Sequence, residues 1–417
     1  MKASILSVGT ELLFGQTLNT NSAFLSDRLN RMGIDVLYHF TVGDNPDRLE
    51  EILEEALRKT DLVITTGGLG PTQDDLTKET VCKVMKDELV LDEPALLAIQ
   101  QFFLKVNRPM TENNVKQAYV PKKALILHNN MGTAPGFALT LEGKTVACLP
   151  GPPREMSAMF DESLAPYIQK MTGSTIYYRL VRTYGIGESA LETTLLDLID
   201  TQTDPTIATY AMEGECYLRV TSKRDTLEEA QQQVDFMVAE ILARIGKYVY
   251  SIDGENLVDV VASKLIEHKM TISCAESCTG GLFAATLTRV PGISSVFDRC
   301  FVTYSNQAKI EELGVLPDTL EKYGAVSMET AKEMAQGVFR ATQSNICIAV
   351  TGIAGPDGGT EEKPVGLVYI SLILTDNTGK QQVYGEEKYI QRNHREKNRE
   401  LTVLAMLHQV HRLLMEM

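Results

Sequence analysis

Short apolar runs alternate with amphipathic stretches along the first 170 residues, and the two periods separate the elements. Residues 3–8 (ASILSV) and 62–66 (LVITT) are compact runs of strand length, the pattern of strands covered on both faces of a parallel sheet. Between them Leu49, Ile52, Leu53, Ala56 and Leu57 recur at helical spacing, after an Asn45-Pro46 pair that offers a cap and a first-turn proline. A layered α/β domain is expected over 1–172. The order then changes. Strand 176–183, helix 188–199, strands 206–211 and 215–222, helix 226–245 and strand 248–251 predict a small α+β domain of βαββαβ order over 173–254. From 255 to 417 the α/β pattern returns, with a helix over 257–268, strands over 270–274, 344–350 and 366–374, and a closing helix over 394–415. The expected architecture is thus two α/β layered domains joined by a small connecting module.

Composition narrows the function classes. The 417 residues carry 44% hydrophobic side chains, enough for two or three buried cores. A formal charge of −15 argues against a broad nucleic-acid surface, whose affinity depends on clustered Lys and Arg. The middle module has the order of a KH-like or ferredoxin-like fold, and Gly185-Ile186-Gly187 at its first helix start resembles an RNA-clamping loop. Seven Lys and Arg against thirteen Asp and Glu leave residues 174–253 at net −6, so a spacer or dimerisation role is expected instead. No apolar run approaches the roughly 20 residues needed to span a bilayer. No signal peptide precedes the first strand, so a cytoplasmic enzyme without a membrane partner is expected. Seven cysteines without CxxC spacing predict small core residues, not a disulfide framework or cysteine zinc site.

Candidate chemistry gathers where strands end. Ala275-Glu276-Ser277-Cys278-Thr279-Gly280-Gly281 follows a strand and puts hydroxyls and two glycines where a helix should begin, a place that favours an anion. Ser277, Thr279, Gly280 and Gly281 would face a phosphate or ribose; the alternative is a turn that merely packs helix on strand. FVTYSNQAK (301–309) and the glycine-dense TGIAGPDGG (351–359) join this motif. Arg395 and Arg399 stand four apart on one helical face, able to meet a phosphate or only solvent. In the first domain, the turns Gly9-Thr10-Glu11 and Gly67-Gly68-Leu69-Gly70 close two strands, and open α/β sheets bind ligands beyond such carboxyl ends.

The three C-terminal runs resemble the C-terminal domain of the CinA family, which is similar to nicotinamide-nucleotide amidohydrolases. VGTELLFG (8–15), NTN (19–21), VGD (42–44), GGLGPTQDD (67–75), APGF (134–137) and LPGPP (149–153) resemble the family's N-terminal, molybdopterin-binding-like domain. The resemblance implies deamidation of nicotinamide mononucleotide by the C-terminal domain, without a cofactor. It further implies cleavage of ADP-ribose to AMP and ribose 5-phosphate by the N-terminal domain, with a divalent metal (Mg, Mn or Co), in a homodimer. It points to a serine near 294 with a tyrosine and a lysine as the catalytic group: Ser294, with Ser295 beside it, Tyr304 and Lys309. A desolvated lysine can serve as base where no histidine is near, so Lys309 takes that role and Tyr304 orients it or relays the proton. Cys278 is a rival nucleophile at a helix start, with a buried filler as its other reading. Thr351, Gly352 and Gly355 would offer donors to the carboxamide or ribose. In the first domain Gly67, Gly68, Gly70, Thr72 and Asn21 are implied at the nucleotide, and Asp44, Asp74, Asp75 and Glu11 at the metal. Asp74 or Asp75 could instead cap the next helix. Two rivals stay open: a regulatory domain that only binds molybdopterin or a nucleotide, and a DNA-handling competence factor.

Overall fold

The computed structural model describes residues 1–416 apart from 173, 174, 377 and 391–393. The expected domain border after 172 therefore opens onto residues outside the described ones. Contacts divide the chain into two units, residues 1–177 with 223–230, and residues 178–222 with 231–417.

In the first unit the strands are β1 (Lys2–Val8), β2 (Asp35–Val42), β3 (Leu62–Thr66), β4 (Leu89–Leu91), β5 (Tyr119–Pro121), β6 (Leu125–Leu127), β7 (Gly136–Leu141) and β8 (Lys144–Leu149). Six form one sheet in the order β2-β1-β3-β8-β7-β6, while β4 and β5 pair separately. The first four strands of that order run parallel; β7 pairs antiparallel with β8, and β6 antiparallel with β7. Every residue of β3 is buried because apolar clusters cover both faces of the sheet. The helix Pro46–Lys59 forms as its spacing requires: Asn45 accepts from the Arg48 amide, and Leu49, Leu53 and Ala56 turn inward.

Four strands that lie mostly in the second unit are β9 (Thr175–Tyr184), β10 (Thr206–Met212), β11 (Glu215–Arg224) and β12 (Val249–Ser251), ordered β10-β11-β9-β12. With the helices Glu188–Asp200 and Leu227–Ile245 these give the expected βαββαβ module. The second sheet holds β13 (Ile272–Glu276), β14 (Phe297–Val302), β15 (Ile346–Gly352), β16 (Leu367–Thr375) and β17 (Gln381–Tyr389), ordered β14-β13-β15-β16-β17. β14, β13 and β15 are parallel, so their carboxyl ends share one edge; β16 and β17 are antiparallel. Helices Leu257–His268 and Arg395–Met415 cover one face, and Met328–Thr342 the other.

The connecting module is not a free spacer. Tyr184 and Tyr250 belong to the same apolar cluster as Leu257, Val261 and Val410, and the Tyr184 ring lies 4.2 Å from that of His408. The Tyr184 hydroxyl also accepts a hydrogen bond from Lys388. The last two segments thus share a core, which local periodicity could not show.

Candidate active sites

The shared carboxyl edge of β13, β14 and β15 gathers the C-terminal motifs. Ser277 follows β13, Lys309 lies in the helix Asn306–Leu313 after β14, and Thr351 and Gly352 end β15. Lys309 is 1% exposed, with its Nζ 3.2 Å from Ser277 Oγ, 2.8 Å from the Thr303 carbonyl and 3.4 Å from the Tyr304 carbonyl. Burial lowers its pKa. A neutral amine has two N–H donors and one lone pair. Two carbonyls and one hydroxyl fit that set when the hydroxyl donates to the lone pair, and they equally fit the three N–H donors of the ammonium.

Ser294 does not join this group. It lies exposed in the turn Ile293–Ser295 at the amino end of β14, whereas Lys309 follows the carboxyl end. Six residues at about 3.3 Å each separate the two ends by roughly 20 Å. Ser295 lies in the same turn and donates its hydroxyl to the Gly292 carbonyl. The serine beside the lysine is Ser277, expected instead at a phosphate or ribose. Cys278 is buried and burial pushes its thiol up to about 12, the behaviour of a packed side chain and not of a nucleophile. Tyr304 touches Lys309 only through its carbonyl; its phenol is turned outward and accepts from Arg395. The expected proton relay through that phenol is therefore corrected.

The helix start after AESCTGG is already occupied by an anion of the chain itself. Glu276, fully buried, accepts from the amides of Gly281 (3.0 Å), Phe283 (3.1 Å) and Ala284 (3.0 Å). The Gly280 amide donates to the Ser277 carbonyl. An incoming phosphate would find these donors engaged, so the expected amide cradle is also corrected. Pattern reading passed over Glu276 because it resembles any strand-end residue. Replacing it with Ala leaves three amides without their acceptor and should destabilise the second unit by at least about 3 kcal/mol in equilibrium denaturation.

The cationic groups come from the last helix. Arg395 donates to the Gly355 carbonyl (2.7 Å) and the Tyr304 hydroxyl (2.7 Å); Arg399 donates to the Thr279 carbonyl (2.8 Å) and pairs with Glu396. The two arginines thus bridge all three motif loops. Thr279 Oγ1 is buried without a partner among the described residues, while the Thr351 hydroxyl is spent on the Ala325 carbonyl. Gly352 ends its strand where a Cβ would come 2.7 Å from the Leu367 carbonyl, a packing requirement and not a donor to substrate.

The first unit has a cavity of about 410 Å³ at the carboxyl ends of β1, β3 and β8. Glu11, Asp44, Asp74 and Asp75 all line it with Gly67, Gly68 and Gly70. Glu155, just past LPGPP, is a fifth carboxylate there that the sequence reading missed. Asp44 accepts from the Thr10 amide and hydroxyl, and Asp75 from those of Thr72. Thr72 is thus used to hold a carboxylate. A Thr72 hydrogen bond also lowers the pKa of Asp74. Lys116 braces this loop through the carbonyls of Thr72 and Asp75. Gly67 (φ +105) must be glycine, since a Cβ would approach the Val8 carbonyl to 2.2 Å; its amide is spent on Leu149. Asn21 lines an adjoining cavity and donates to Thr66 Oγ1 and the Gly151 carbonyl. Among the described residues no three of these carboxylates bring ligand atoms within 4.8 Å of one another. A hard cation here would draw further ligands from a diphosphate.

Among the described residues, no helix is long and apolar enough to cross a membrane. Residues 4–170 match the family described as "Probable molybdopterin binding domain", residues 178–251 "Damage-inducible protein CinA KH domain" and residues 254–414 "CinA C-terminal domain". A protein of Acetivibrio thermocellus labelled as competence-damage inducible is 54% identical over 372 residues, covering 89% of this chain and 90% of its own. A "CinA-like protein" of Dictyoglomus thermophilum is 50% identical, covering 90% and 91%. A crystal structure described as CinA of unknown function from Thermoplasma acidophilum is 38% identical over 40% of this chain and 96% of that one, with a TM-score of 0.37. With two relatives at half identity or more along nine-tenths of its length, this chain belongs to the CinA family.

Proposed function

We propose that the second unit is a serine–lysine amidase that converts nicotinamide mononucleotide to nicotinate mononucleotide and ammonia. The observation that carries this reading is the buried Lys309 amine 3.2 Å from Ser277 Oγ. Neutral Lys309 takes the Ser277 proton as Oγ attacks the carboxamide carbon. The C–N bond then breaks and the amine leaves as ammonia with the proton from Lys309; water attacks the ester with Lys309 again as base, the acyl C–O bond breaks, and Ser277 Oγ leaves with the proton that Lys309 took from water. Arg395 and Arg399 supply the charge that would hold the 5′-phosphate.

This mechanism has a pH signature. Because burial lowers the Lys309 pKa, the fraction able to accept a proton rises with pH through a midpoint below the ordinary 10.5. Ammonia release should therefore climb along a basic limb with that midpoint. Lys309→Arg should lack the limb at every pH, since a guanidinium does not deprotonate. A Lys309→Arg chain with the normal profile would remove Lys309 as the base.

For the first unit we propose metal-dependent cleavage of ADP-ribose-type diphosphates, with ADP-ribose yielding AMP and ribose 5-phosphate. The supporting observation is the ring of Glu11, Asp44, Asp74, Asp75 and Glu155 around one cavity. A divalent metal (Mg, Mn or Co) bound there would offset the diphosphate charge. Asp74 and Asp75 would hold it, and Glu11 would orient water.

A further inference from the structure

The pair Cys274 and Cys300 is absorbed by neither proposed reaction. The two are register partners on β13 and β14. Glu276 lies two residues beyond Cys274, on the same face of its strand. Its Oε1 is 3.4 Å from Cys300 Sγ and 3.9 Å from Cys274 Sγ, and all three ligand atoms fall within 4.8 Å of one another. A tetrahedral zinc ion with Zn–S near 2.3 Å and Zn–O near 2.0 Å needs S···O edges of about 3.5 Å. The side chains already stand at nearly that spacing.

We propose that Cys274, Cys300 and Glu276 form a binding site for one thiophilic divalent cation of the zinc and cadmium class, with water as its fourth ligand. Each thiol releases its proton to solvent as its sulfur–metal bond forms. The carboxylate is held in place by the amides of Gly281, Phe283 and Ala284, the outer support that metal ligands ordinarily require. Access is from the sheet edge, because β14 is the outermost strand and Cys300 is only half-buried on it. Soft sulfur ligands separate this site from the all-oxygen carboxylate ring of the first unit.

The test is a titration of the whole chain with Cd2+, followed by the thiolate-to-cadmium charge-transfer absorbance and by equilibrium dialysis. One equivalent should bind with a thiolate band. Cys300→Ser should weaken that binding at least about 10-fold and diminish the band, whereas Cys347→Ser should leave both unchanged. A wild-type chain without a band, or a band that survives Cys300→Ser, overturns the site. Should Cys300→Ser lose its circular dichroism signal, the rate of Cys300 alkylation in the wild-type chain decides: Cd2+ must slow it, and an unchanged rate rejects the proposal.

Discussion

Ser277→Ala and Lys309→Met should each reduce ammonia release from nicotinamide mononucleotide by at least about 100-fold, the scale of losing a nucleophile or its base. The double variant should be little worse than the poorer single one, because the two groups act as one unit. Ser294→Ala should keep near-normal activity, since it sits at the far end of β14. Cys278→Ser should retain most activity for a different reason: its thiol is packed and held protonated by burial. Ammonia assays on purified variants with unchanged circular dichroism check all five. Loss in Ser294→Ala with normal turnover in Ser277→Ala would reverse the assignment.

The second large effect is expected in the first unit. Asp74→Asn and Asp75→Asn should each lower ADP-ribose cleavage at least about 100-fold, while deamidation by the same preparations continues. The cause is electrostatic: two phosphoryl groups beside several carboxylates repel unless a cation stands between them, and an amide keeps the shape without the charge. Asn at 75 can still accept one bond from Thr72, which keeps the loop in place. Chelation should abolish the AMP product and spare ammonia. Full AMP formation in chelator would remove the metal from the account, and joint loss of both products would signal a folding defect.

The legibility of the chain followed the range of the forces involved. β3, the helix after Asn45-Pro46 and the βαββαβ module were readable because each is fixed by local periodicity and caps. Glu11, Asp44, Asp74 and Asp75 were named together by the family resemblance, and they line one cavity because strand-end turns of a parallel sheet meet at one edge. The serine proposed as nucleophile was not readable. Both Ser277 and Ser294 flank strands, and only the parallel pairing of β13 with β14 shows which one shares an edge with Lys309. The role of Glu276 was hidden likewise, since a buried carboxylate that serves its own helix start has no sequence signature distinct from a strand-end acid. Tyr184 and Tyr250 read as module residues and prove to be packed in the C-terminal core.

Product analysis of nicotinamide mononucleotide incubated with the full chain tests the central claim most directly. The Ser277–Lys309 account predicts nicotinate mononucleotide and ammonia in equal amounts, with no free nicotinamide, and the loss of both products in Ser277→Ala. Release of nicotinamide, which reports cleavage of the glycosidic bond, or ammonia formation undiminished in Ser277→Ala, would contradict it.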